Sequence, residues 1–423
     1  MNAPERIGLP DALATLSICY APLIDKHRRA VGTRLTMLSA RAPDYLPVGH
    51  ILEQLNEVWP EADASVLIAP LDATFDDSLL TWRAPPNALL EVPTIALRDP
   101  DLQRLVQRAW RKGIRMVLRG RPDVPLPPAL VACFEYSLIH ISEDRRRLKD
   151  GRARPAPPNA VRRMPFVTTG VRRVVDLDEA YQRGAMASVG WPIDDTEQRP
   201  NCRLRPDQGN LLELLRVASE RPEVRLIAYG IRRDPVLAFK LLRMVNSDAF
   251  DTHGPVASIE RAVQVLGQEK TLRWLSLSLE SAGEHINALP LVRAATLRGL
   301  FLEKMAKGLP EMTAEQHDEL FVTGAFSLLD RITGAPIPRL MGPVGMGSNV
   351  TDAIVHKRGP YAPYLAVIEA IERSDPMGIR RNLDALGIPI FECNQALLHA
   401  LAATQKLDAE QAQRSEEMAF APV

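Results

Sequence analysis

RRDPVLAFKLLRMVNSDAF, residues 232–250, decides how the second half of the chain folds. Asp234 followed by Pro235 is a helix start. The aspartate accepts from free backbone N–H groups of the first turn, and proline sits where no N–H is needed. VLAFKLLRMV then runs apolar into Asn246-Ser247-Asp248, whose side chains bond nearby backbone and favour a turn. Phe250 is expected to return the chain to the core. By spacing, this is a structural turn closing a buried helix, and it holds no activated nucleophile.

The flanking segments read the same way. In HGPVASIERAVQVLG, Ser258 caps a helix whose Ile259, Ala262, Val263 and Leu266 share one face, and Gly267 stops it. Upstream, Asn210 and Glu213 are spaced as a capping box before LLELLRVA. Downstream, Thr313 and Gln316 start a helix that carries LFVTGAFSLLDRI. Helices of roughly 10–20 residues with one apolar stripe each predict an all-α bundle from about residue 207.

The first 200 residues have a different rhythm. VLIA (66–69), LLEV (89–92), IRMVL (114–118), YSLIHI (136–141) and PFVTT (165–169) read as strands. DLQRLVQRAWRKG (101–113) reads as a helix ending at Gly113. Such alternation predicts parallel strands with helical crossovers, closing into a (β/α) barrel. The expected class is therefore α/β plus all-α. GRARPAPPNAVRRMP (151–165), with four prolines and four arginines, resists helix and reads as a surface loop.

Bulk composition narrows the function. Fifty-two basic residues balance fifty-two acidic ones, so no global field favours a nucleic acid polymer or an anionic membrane. Cys19, Cys133, Cys202 and Cys393 are scattered without a C-x-x-C pair, which suits a reducing cytoplasm and excludes zinc-ligand spacing. MNAPERIGLPDALATL lacks the pattern of a signal peptide, and no window has the roughly 18 apolar residues of a membrane span. There is no P-loop, no G-x-G-x-x-G and no Ser/His/Asp arrangement.

The run RRDPVLAFKLLRMVNSDAF, with PVASIERAVQVLGQEKTLRWLSLSL and LFVTGAFSLLDRITGAPI, resembles the HDOD domain, a helical relative of the HD phosphohydrolases. The resemblance covers roughly 207–395, leaving 396–423 as a C-terminal helix and fraying tail. Residues 14–195 resemble an EAL domain, the barrel that hydrolyses cyclic di-GMP in active members. APLIDKHRRAVG (21–32), PPNALLEV (85–92) and RKGIRMVLRG (111–120) carry that likeness, giving an EAL-like domain over 1–200.

The resemblance implies a two-metal site of carboxylates and an amide on the strand ends, because hard cations need oxygen ligands. Residue by residue, the name-giving glutamate falls on Arg34 and the asparagine near Ala69. The second glutamate survives as Glu91, and the aspartate pair falls on Arg119 and Gly120. The lysine falls on His140, the next glutamate on Thr169 and the late glutamine on Val189. A guanidinium cannot ligate a cation, so neither metal nor phosphodiester hydrolysis is expected. Two fates remain open for the arginines: one pairs with Glu91 and fills the pocket, or both form an anion site that reads phosphate without metal. In the HDOD half, the metal-binding His-Asp pair would fall on Ser327-Leu328 and an upstream histidine near Ala294. His317-Asp318 lies too early, in the first turn after Thr313, and is read as a decoy. Arg273-Trp274 is either core or a surface anchor.

The expected function is that of a cytoplasmic, cofactor-free, non-catalytic adaptor for a signalling protein, in a pathway concerned with cyclic di-GMP, motility, pili or biofilm. The alternatives are a metal-free cyclic di-GMP receptor, with Arg34, Glu91, Arg119 and His140 lining the old pocket, and a weak phosphodiesterase. Sequence leaves partner identity and oligomeric state undetermined.

Overall fold

The computed structural model describes residues 12–39, 46–57, 64–122, 125–143, 164–190, 206, 208–220, 223–247, 250, 252, 254–280, 289–306, 312–342 and 346–419. The chain divides into two compact units, Met1–Asp194 with Glu369–Gln395, and Asp195–Ile368 with Ala396–Val423.

In the first unit, eight strands form a closed barrel in the order β1 to β8. They are β1 (Leu16–Ile24), β2 (Ala30–Ser39), β3 (Ser65–Pro70), β4 (Ala88–Pro93), β5 (Met116–Arg119), β6 (Ser137–His140), β7 (Phe166–Val171) and β8 (Ala187–Gly190). All five strands expected from sequence are present. Pairing is parallel from β2 through β8. The five strands read from sequence are parallel as expected, whereas β1, which the sequence did not reveal, runs antiparallel to both β2 and β8. The cause is local. Asp25 accepts hydrogen bonds from the backbone of His27 and Arg29 and from the Arg29 side chain, tightening a hairpin turn that needs no crossover. β1 was hidden from periodicity because it is buried on nearly every residue.

Helix Pro100–Arg111 follows β4 as expected, capped by Asp99 and closed before Gly113, whose φ of 85° suits glycine. The proline–arginine stretch lies outside the described residues, apart from Met164 and Pro165. Sequence reading placed all of 207–395 in the helical domain, whereas Glu369–Gln395 groups with the barrel. Asn394 shows why. Its amide donates to the Leu13 and Leu16 carbonyls and accepts from the Ile18 N–H, at 2.8, 2.7 and 3.1 Å, all buried.

The second unit is helical. Pro235–Val245 starts at Asp234, whose side chain accepts from Val236 and Leu237. Ser258 accepts from Arg261 at the next start, and Thr313 with Gln316 forms a complete capping box. Asn210 is a correction. It lies inside helix Gln208–Glu220 and donates across to the Gly230 carbonyl rather than capping. Gly267, non-helical at φ 73°, stops the helix that begins at Ile259 as expected, and a second helix follows directly and runs to Glu280 across the kink. Helices Leu289–Ala306 and Ala314–Phe326 approach closely at Gly299 and Gly324, where an added Cβ would strike the facing backbone. The C-terminal helix extends over Ile390–Ala419.

The VNS turn closes by a long-range clamp. Asn246 donates to the Val256 carbonyl at 2.8 Å and accepts from the Val256 N–H at 2.7 Å, so one amide replaces a strand partner. Phe250 is half-buried beneath Lys270 rather than fully in the core. Asn246→Ala should lower the stability of this unit by about 1–3 kcal/mol, because two backbone groups lose their partner. Urea unfolding checks this, and an unchanged midpoint would show that the clamp is not needed.

Candidate functional site at the barrel mouth

Leu67, Leu89, Val117, Leu138 and Val167 belong to the packed barrel interior. Side chains alternate along a strand, so Ala69, Glu91, Arg119, His140 and Thr169, two residues further on, also face inward and lie nearer the C-terminal mouth. Arg34 pairs in register with Leu67 and takes the same face. The residues that the EAL resemblance placed at the metal site thus converge on one end of the barrel.

Arg34 and Glu91 are joined. Arg34 Nε donates to Glu91 Oε1 at 2.6 Å and Nη2 donates to Oε2 at 2.8 Å, a bidentate fork. Glu91 is 1% exposed and the Arg34 side chain 20%. Burial works against the guanidinium charge, but the carboxylate more than offsets it, and the Arg34 pKa is raised. Both oxygens of Glu91, the one carboxylate kept from the expected ligand set, therefore face a cation.

Arg119 closes β5 and is half-buried. Its pKa is lowered, first by burial and then by the charge of Arg34, with Glu91 opposing. Its side chain has no hydrogen-bond partner among the described residues. His140 stands apart. Its Nδ1 lies 2.7 Å from the Ser142 hydroxyl and takes the Ser142 N–H, while the ring rests on Gly170, leaving no room for a Cβ there. Ala69 and Val189 are buried apolar residues. Among the described residues, no group of three or more His, Cys, Asp or Glu side chains is placed to hold a metal.

Sequence reading missed a cavity of about 420 Å³ beside Arg119. Leu71, Phe75, Ile95 and Arg98 line it from the loop after β3 and the turn Thr94–Arg98 after β4. Such connections carry no hydrophobic period, so only the assembled fold brings them together.

In the helical unit, the position expected for a metal-binding pair also meets an arginine. Ser327 Oγ accepts from Arg298 Nη1 at 2.8 Å and donates to the Gly324 carbonyl at 2.7 Å. Leu328 and Ala294 are buried. Asp318 of the decoy pair lies 3.5 Å from Arg232, which also binds Glu303 at 2.6 Å. Trp274 is half-buried.

Comparison with known proteins agrees with this anatomy. Residues 209–326 match the HDOD domain family. The chain thus joins an N-terminal barrel region that resembles an EAL fold to a C-terminal HDOD domain. "Cyclic di-GMP phosphodiesterase CdgJ" of Vibrio cholerae serotype O1 is 25% identical over 248 residues, which is 58% of this chain and 57% of that protein. The uncharacterised protein YuxH of Bacillus subtilis is 23% identical over 214 residues, covering 50% and 52% of the two chains. The chain therefore spans little more than half the length of these relatives. Among solved structures, the MmoQ response regulator of Methylococcus capsulatus matches at a TM-score of 0.37 and 16% identity, over 46% of this chain and 98% of that one. Among the described residues, no helix is long and apolar enough to cross a membrane.

Proposed function

We propose that this protein is a non-catalytic signalling adaptor of the cytoplasm, linked to cyclic di-GMP pathways and acting by binding a partner protein. The Arg34–Glu91 fork carries the reading. A metal at the barrel mouth would have to displace a guanidinium from the sole retained carboxylate and then sit beside Arg34 and Arg119, a repulsive pair of neighbours for a divalent cation. Arg298 on Ser327 puts a second cation at the corresponding position of the HDOD domain. The likeness to a named phosphodiesterase supports the pathway and not the reaction.

Incubation of the full chain with cyclic di-GMP and magnesium or manganese is expected to release no linear product. Turnover that Glu91→Ala abolishes would overturn the adaptor reading. A metal-free cyclic di-GMP receptor is the second reading, and Arg119, half-buried without a hydrogen-bond partner among the described residues, favours it. Calorimetric titration separates the two. Micromolar binding would establish the receptor, and an absence of heat leaves the adaptor.

A further inference from the structure

The cavity beside Arg119 has two kinds of wall. Leu71, Phe75, Ile95 and Leu102 supply apolar surface, and Arg98 and Arg119 supply positive charge. Ile95 is 64% exposed although it is a large aliphatic residue. Its volume of about 420 Å³ lies in the range of small-molecule sites.

Arg119 feels the Glu91 carboxylate but makes no hydrogen bond to it or to any other described residue. Glu91, whose charge reaches Arg119, has both oxygens hydrogen-bonded to Arg34. Asp99 also lines the cavity, but its carboxylate caps the helix by accepting from the Asp101 N–H at 2.8 Å. Arg119 is therefore a planar donor fork, half out of water, with no acceptor among the described residues. Such a fork matches a carboxylate in two parallel hydrogen bonds. The apolar stretch of wall formed by Leu71, Phe75, Ile95 and Leu102 suits an extended apolar body.

We propose that this cavity binds an aliphatic carboxylate of medium chain length. The head group pairs with Arg119, and the chain lies along Leu71, Phe75 and Ile95. This site is separate from the adaptor reading, and either can fail without the other: the adaptor reading concerns turnover and partners, this one a small acid.

Sodium octanoate is the probe, titrated calorimetrically into the full chain with acetate, inorganic phosphate and 1-octanol as comparisons. Octanoate is expected to bind at least roughly tenfold more tightly than each of the three, since none combines the charge with the chain. Arg119→Met should weaken octanoate by about tenfold or more, as expected for loss of a charge-assisted bidentate contact. Ile95→Asp, on an exposed turn, should weaken it as well, and it tests the apolar wall should Arg119→Met fail to fold. Absence of saturable octanoate binding in the millimolar range would overturn the proposal. So would equal binding of phosphate or octanol, or octanoate binding unchanged in both variants.

Discussion

Arg34→Met is expected to destabilise the barrel by about 3–5 kcal/mol, the cost of leaving a buried carboxylate without its partner. Glu91 is 1% exposed and directs both oxygens at Arg34, so removal of the guanidinium strands the charge in a site with little water. Arg119 lies close enough to feel the Glu91 charge and will recover part of the loss. The double variant Arg34→Met with Glu91→Leu should regain most of the stability or exceed the parent, because an apolar pair of similar volume avoids desolvating two charges. The rescue separates charge from packing. Titration cannot replace it. Arg34 is raised above the ordinary guanidinium range, so its contribution is fully present below that range and fades only as pH climbs through the higher folded value. Urea unfolding followed by tryptophan fluorescence checks the cycle, with buried Trp82 reporting on the barrel. A single-variant cost under about 1 kcal/mol would show that the pair does not hold the mouth together.

Asn394→Ala should be comparably severe. One amide, 1% exposed, serves three buried backbone groups of the segment Leu13–Ile18. Losing it removes three hydrogen bonds to buried backbone groups, a cost of about 1–3 kcal/mol or more in total. Asn394→Asp is the sharper experiment. It keeps size and shape, removes the two donors, and turns an anion toward two carbonyl oxygens. The aspartate variant should therefore be at least as unstable as the alanine variant. If it is tolerated, Asn394 acts by filling space, and its hydrogen bonds are not what joins Glu369–Gln395 to β1.

Much of this protein was legible in its sequence because the deciding physics is local. Asp234-Pro235, Ser258 and the Thr313–Gln316 box satisfy backbone groups within three residues, so residue type and spacing suffice to place those helix starts. The strands β3 to β7 showed themselves as short apolar runs between turns. The resemblance proposed Arg34, Glu91, Arg119 and His140 as lining the old pocket, and strand alternation turns Glu91, Arg119 and His140 toward the same end of the barrel, where Arg34 reaches Glu91. What sequence could not decide was which arginine takes Glu91, since Arg34 lies 57 positions away and one strand, β3, separates β2 from β4. Asn210 deceived for a related reason, as its local spacing fitted a cap while its actual acceptor is the Gly230 carbonyl on another helix. Asn394 and Ile18, 376 positions apart, meet only once the barrel has closed. Caps and periodicity are fixed by neighbours along the chain, whereas ion pairs, buried amide bridges and the cavity beside Arg119 depend on which distant elements ring closure brings together.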